Sequence, residues 1–560
     1  MKKTAIFDLA GVWDFKFRDA SDPEPDINEV CFDDFAAVPG CFDLVHAYYL
    51  KRGTGFYRRY VDAGGEVELF SEGLGLRGKI YWDRKLIADI DAPFSKNTFR
   101  FNAGDYGRHE IIVAVNNEFD DSSSSMWHRD YDFYAHGGIY RKLTLKPAEP
   151  VFEREIKILT ADIDCGKVEI TLVLDGEIKN ISEAEVYFDN ALAVNKITLL
   201  NGRGKAVLSV PDFKLWSPEA PNLHHAVIKV GDVVFEKTFG IRKVEAKNGK
   251  IYLNGKKLHI IGYNRHDAHP DFGYAVPTSV RMQDLQVLKK LGGNCFRGSH
   301  YPQCEEFLDM CDRMGILVWE ESLGWGNREK CLTDPEFQAK QIRETRKMAL
   351  ASINHPSIIF RGFLNEAVTT VETAKPIVKA LADVLHEVDP TTLVTFATDK
   401  AERDVCLEYV DVISFNTYPC WYSGNEDQFM SCKEVDRVLG GLAEFASKDE
   451  YKDKPVLISE IGAEALVGLH GGQRWSEEYQ SDLHEAVIKY TLENDRYSGV
   501  LIWQFCDCRT FVSNAAQTKA ANFNFKGALD SHRVPKDAWR RVEKFLKEYE
   551  KQPLTERIKI

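Results

Sequence analysis

The pattern of apolar and polar positions changes character near residue 244. Up to about residue 150, short runs alternate apolar and polar side chains between Gly, Asp and Asn turns, as in Gly78–Asp83 and Ile111–Asn117. Alternation at period two gives a strand one buried and one wet face, so this stretch predicts an all-β sandwich. A second β-rich stretch, 151–243, contains strands such as Val168–Leu174 and closes near Phe239–Arg242. From 244 to 560, short apolar runs alternate with long amphipathic stretches. That order predicts βα units on a parallel sheet.

Eight candidate strands follow: 258–266, 292–300, 316–321, 357–366, 393–399, 411–418, 455–462 and 499–505. Helical stretches between them include 303–314, 335–353, 369–388 and 476–493, with Asp334 as cap and Pro335 in the first turn of one. Eight βα units in about 300 residues make a (β/α)8 TIM barrel, whose active site lies at the C-terminal ends of the strands. The predicted fold is therefore two β-sandwiches, 1–150 and 151–243, followed by a barrel, 244–560.

Chemistry concentrates at those strand ends. The fourth run ends in the adjacent amide and acid Asn365 and Glu366, and 94 residues later the seventh ends in Glu460. One acid at a strand end is usually just solvated. Two carboxyls at one face of a barrel are what cleavage of a glycosidic bond requires. The same face receives His266, His300, Asn416, Tyr418 and Trp503. A lone histidine there is more often a core residue than a catalyst, and the shared location is what raises its interest.

Composition narrows the partners. The chain has 560 residues, 44% hydrophobic and 28% charged, which is ordinary for a globular protein and long enough for several domains. The net charge of −14 is spread in mixed-sign segments, which argues against nucleic acid and anionic lipid, so an anionic substrate needs a local cationic pocket. Lys2 and Lys3 start like a leader, but Asp8 and the Trp13–Arg18 stretch interrupt it, and no apolar run approaches a membrane span. Cys295, Cys311 and Cys406 sit in apolar patterns and read as reduced core residues, so a cytoplasmic location is expected. Cys506 and Cys508 lack a second ligand pair at metal spacing, and no metal or cofactor is expected.

The segments running from Asn354-His-Pro-Ser to Asn365-Glu366, then Ser459-Glu460-Ile-Gly462, resemble the acid/base and nucleophile signatures of the family 2 glycoside hydrolases. The resemblance covers nearly the whole chain. It implies a jelly-roll, sugar-binding-like first sandwich and an immunoglobulin-like second one, whose end is matched by Leu215–Leu223. It also implies Glu366 as acid/base, Glu460 as nucleophile, Asn365 on the sugar's 2-hydroxyl and Tyr418 beside Glu460.

Further matches are to the β-glucuronidase-like members. Asn524 and Lys526 fall on their Asn-x-Lys carboxylate motif, Tyr418 and Tyr422 on their two site tyrosines, and Asp132 on the aspartate that holds the 4-hydroxyl. Two departures stand out. Arg361 replaces the usual Trp five residues before the acid/base, and by strand parity with Asn365 it is expected to face the lumen, needing an acidic partner such as Asp132, a catalytic Glu or the substrate. Ala520 stands where an arginine is usual, with only Lys519 near. The stretch 321–334 is too short for the loop that closes over small aglycones in some bacterial members.

The implied function is a retaining, exo-acting β-hexuronidase for glucuronide or galacturonide conjugates or oligosaccharides, assembled as a homo-oligomer. A neutral-sugar β-galactosidase or β-mannosidase of the same fold is the alternative within enzymes, opposed by Asn524 and Lys526. A carbohydrate-binding pseudoenzyme is the alternative outside them.

Overall fold

A computed structural model describes residues 5–119, 133–189, 193–422, 433–510 and 520–551. Near the N-terminus a four-stranded and a six-stranded antiparallel sheet enclose a core that includes Trp13, Tyr57, Val67, Ile80, Val113 and Leu145. A three-stranded and a four-stranded sheet then form a second sandwich around Val168, Ile170, Leu172, Val186 and Ile228. The period-two pattern works as expected in Lys167–Gly176, where Val168, Ile170, Leu172 and Leu174 are buried and the residues between them are not.

The C-terminal region is a parallel barrel. All eight expected strands form: Ile260–Arg265, Cys295–Gly298, Leu317–Glu321, Ile358–Gly362, Leu393–Thr395 with Ala397–Thr398, Ile413–Asn416, Val456–Glu460 and Tyr497–Ile502. Each pairs with its neighbour in sequence, and the eighth pairs with the first. The fifth is split at Phe396: its first piece pairs with the fourth strand and its second with the sixth. The third, fourth, seventh and eighth strands are buried along their entire length, as a sheet covered by helices requires.

A small three-stranded sheet, Val244–Lys247, Lys250–Leu253 and Lys256–Leu258, closes the N-terminal end of the barrel. Its Ile251 and Leu253 share a core with Leu317, Trp319, Phe360, Leu457 and Leu501 from the lumen. Chemistry is thereby confined to the opposite mouth. Asp334 caps the helix Pro335–Ala351, accepting from Glu336 and Phe337 N–H at 2.8 and 3.2 Å. The stretch expected as helix from 369 begins only at Lys375, after a short 3-10 turn, with Pro376 in its first turn. Among the described residues no helix is long and apolar enough to cross a membrane.

Candidate active site

The fourth strand stops at Gly362, earlier than its apolar run suggests. Beyond it Leu364 and Glu366 adopt positive φ, 47° and 53°, a left-handed backbone that costs a non-glycine residue on the order of 1 kcal/mol and collects at functional sites. The kink is held by Glu366 N–H donating to Ala397 O at 2.9 Å on the fifth strand. It also ends the pleat, so strand parity cannot be carried from Asn365 back to Arg361.

That corrects the expectation for Arg361. Phe360 faces the lumen beside Trp319, so Arg361 points out toward the helices. It is fully buried there, donating to Asp389 Oδ2 at 2.9 Å, Glu320 Oε2 at 3.2 Å and Ser352 Oγ at 2.9 Å. Ser352 and Asp389 end the helices that precede and follow the fourth strand, so the Arg361 guanidinium lies between the sheet and those helices, outside the lumen. Arg361 is an internal counter-ion, and the Glu320 and Asp389 carboxylates are its partners.

At the mouth Glu366 and Glu460 are set in contrasting surroundings. Glu460 is buried; its Oε1 accepts from Arg297 Nη1 at 2.6 Å and its Oε2 from the Tyr418 hydroxyl at 2.7 Å. Burial pushes its carboxyl up, and Arg297 and Tyr418 pull it back. Glu366 is half-buried and accepts from Asn416 Nδ2 at 2.8 Å. Burial first, then the negative charges of Glu460 and Asp399, raise it to about 8. Both carboxyls are raised, but only Glu460 has a cation and a hydroxyl on its oxygens, and its negative charge in turn holds the proton on Glu366, so the pair divides into a proton donor and an anion.

Arg297 organises this floor. Besides Glu460, it donates to Glu321 at 2.8 and 3.1 Å, to Asn264 Oδ1 at 2.8 Å and to Asn365 Oδ1 at 2.7 Å. Asn365 Oδ1 also accepts from Asn416 at 3.1 Å, and its own Nδ2 is buried with no protein acceptor among the described residues. A donor so placed is available to a bound hydroxyl. Asn416 is fixed in turn by Ser459 Oγ, 2.7 Å from its Oδ1.

His266, His300 and Trp503 line one wall. The His300 ring stacks on Trp503 at 5.3 Å, and its Nδ1 lies 3.2 Å from Glu321 Oε2. His266 meets Trp503 edge-on at 5.4 Å and packs on Phe133 from the first sandwich at 5.0 Å. Burial and neighbouring cations hold both imidazoles well below the ordinary histidine range, so they are neutral. Trp503 approaches the seventh strand closely because residue 462 is glycine: a Cβ there would lie 1.9 Å from Trp503 O.

Past the eighth strand, Cys508–Arg509 pairs antiparallel with Phe523–Asn524, and the latter leads to Lys526. Asn524 Oδ1 accepts from Lys526 N–H at 3.2 Å, and Asn524 Nδ2 is buried without a protein acceptor among the described residues. Lys526 Nζ donates to Tyr422 OH at 2.8 Å and Glu464 Oε1 at 2.9 Å, with the Tyr422 ring centroid at 4.8 Å. The structure thus brings together Glu366, Glu460, Asn365, Asn416, Tyr418, Tyr422, Asn524, Lys526, His266, His300 and Trp503, and leaves Arg361 out. Asp132 and Lys519 lie outside the described residues.

Arg297, Glu321 and Glu464 were missed by sequence reasoning. The strand-end rule that selected Glu366 applies equally to Glu321, the last residue of the third strand, and to Arg297, next to last in the second.

The family is decided by comparison with known proteins. The model described as "Glycosyl hydrolases family 2, TIM barrel domain" matches residues 244–550, and that described as "Glycosyl hydrolases family 2" matches 155–242. The chain belongs to glycosyl hydrolase family 2. As a family 2 member it is a glycoside hydrolase, resembling the β-glucuronidase group.

Its relatives include a β-glucuronidase of Streptococcus agalactiae, 26% identical over 97% of this chain and 96% of that one. Another is a β-glucuronidase of Chlorocebus aethiops, 30% identical over 73% of this chain and 64% of the relative. Among solved structures, a family 2 β-galacturonidase from Eisenbergiella tayi superposes with a TM-score of 0.88 at 29% identity, over 98% of this chain and 97% of that one. The structure of the Eisenbergiella tayi β-galacturonidase bound to galacturonate gives 0.87 at 30% identity, over 98% of each chain.

Proposed function

We propose that this enzyme is a retaining, exo-acting β-hexuronidase that cleaves β-galacturonides at least as well as β-glucuronides. The observation that carries the reading is Lys526, a buried ammonium two residues from Asn524, whose Nδ2 has no protein acceptor among the described residues, at the mouth that holds both carboxyls. Together they offer a charge and a directional donor to a sugar's C6 carboxylate. The whole-length likeness to a β-galacturonidase supports the epimer choice, as does Ala520 where glucuronidases carry arginine.

In this mechanism Glu366, protonated below about pH 8, gives its proton to the leaving oxygen while the Glu460 carboxylate attacks the anomeric carbon. The glycosidic bond breaks and an ester to Glu460 forms. Glu366, now an anion, takes a proton from water, which displaces Glu460 and releases the sugar with its configuration retained. Arg297 and Tyr418 keep Glu460 ionised and aligned, and Asn365 Nδ2 holds the 2-hydroxyl. Trp503 and His300 form an apolar wall for the ring.

Rates on nitrophenyl β-galacturonide, β-glucuronide and β-galactoside test the reading. It expects both uronides to be cleaved, the galacturonide no slower, and the neutral galactoside poorly. Efficient cleavage of the galactoside with none of the uronides would refute it.

A further inference from the structure

Lys526 shares its ammonium with a carboxylate that the proposed mechanism does not use. Its Nζ lies 2.9 Å from Glu464 Oε1, and both side chains are 1% exposed. Glu464 sits four residues past Glu460 on the seventh-strand end, and Lys526 sits in the loop after the eighth. An ammonium sealed from water without a counter-ion is strongly penalised, and Glu464 supplies that counter-ion.

The same contact opposes the substrate. Among the described residues the mouth carries the cations Arg297 and Lys526 and the acids Glu321, Glu366, Glu460 and Glu464, with the buried Lys536–Asp507 pair against the Lys526 loop; Arg297 and Lys526 each already have a carboxylate at hydrogen-bond distance. A uronate bound to Lys526 would place its own carboxylate beside Glu464. Two anions sharing one ammonium lie only a few ångströms apart, and in a desolvated site that repulsion weakens binding by about tenfold or more.

We infer that Glu464 is a positioning and specificity-determining residue: it anchors Lys526 and sets uronide affinity below what Lys526 alone would give. The inference rests on the hexuronide reading above. It separates two properties that a bare lysine would join, because Glu464 holds the ammonium in place at the expense of grip on the product uronate, which must leave after each turnover.

Glu464→Gln tests it, since the carboxamide oxygen still accepts from Lys526 while the charge is gone. KM for nitrophenyl β-galacturonide is expected to fall about tenfold, with the gain in KM and not in kcat. The inhibition constant of free galacturonate should fall in parallel, and KM for the neutral galactoside should stay put. An unchanged or raised KM for the uronide in the folded variant overturns the inference. Melting of Lys526→Gln against Glu464→Gln/Lys526→Gln is a second readout that needs no turnover. The double variant is expected to melt higher, because the single one strands a buried carboxylate. Equal or lower melting of the double variant removes Glu464 as counter-ion. If the wild type cleaves no uronide, the hexuronide reading fails by itself, and the melting comparison still decides the role of Glu464.

Discussion

Arg297 Nη1 donates to Glu460 Oε1 at 2.6 Å while the same guanidinium holds Glu321 at 2.8 and 3.1 Å. One cation therefore serves two carboxylates on different strands, and Glu460 depends on it to remain an anion in a buried site.

Arg297→Met should lower kcat/KM by about 10²-fold or more, the usual consequence of deleting a preorganised charge at a reacting group. It should also move the acid limb of the pH profile upward, because Glu460 loses the charge that holds its carboxyl down. A variant with normal kcat and an unmoved acid limb would show that Arg297 only packs.

Glu366 sets the basic limb. With its carboxyl raised to about 8, kcat/KM should fall with an apparent pKa near 8. Glu366→Gln should abolish that limb and lose most on substrates with poor leaving groups. The sign for stability follows from the same shift: the folded value lies above the ordinary 4.5, so Glu366's contribution is present below about 4.5 and is lost as pH rises through about 8. Wild-type melting temperature should therefore drop relative to Glu366→Gln across that window.

Arg361→Met should act on stability alone. Removing the guanidinium leaves Glu320 and Asp389 buried without their cation, a loss of about 3–5 kcal/mol in unfolding free energy. The galacturonide to glucuronide rate ratio should not change; a change in a folded variant would restore Arg361 to the sugar pocket.

Most of the barrel was legible because strand periodicity, helix caps and the strand-end rule all act locally. Glu366, Glu460, Asn416 and Tyr418 were found that way. Arg361 was misplaced because its parity with Asn365 was read through Leu364, where positive φ breaks the pleat, and a run of apolar residues gives no sign of that break. The Lys526–Glu464 pair was half seen: the lysine carries a motif, and its partner lies 62 residues earlier on a neighbouring strand end, a relation only the closed barrel creates.

Lys526→Ala should reduce kcat/KM on uronides by about 10²-fold, the worth of a charge-assisted contact in a desolvated site, and affect the neutral galactoside far less. Equal losses on both substrates would make Lys526 a structural residue and remove the main support for a uronide substrate.

The most direct test of the account is to trap the enzyme with a 2-fluoro-2-deoxy β-galacturonosyl fluoride and map the adduct by peptide mass spectrometry. One fluorouronosyl group per chain is expected, on Glu460, and no label in Glu460→Gln. A label on another residue, or product of inverted configuration with no adduct, would contradict it.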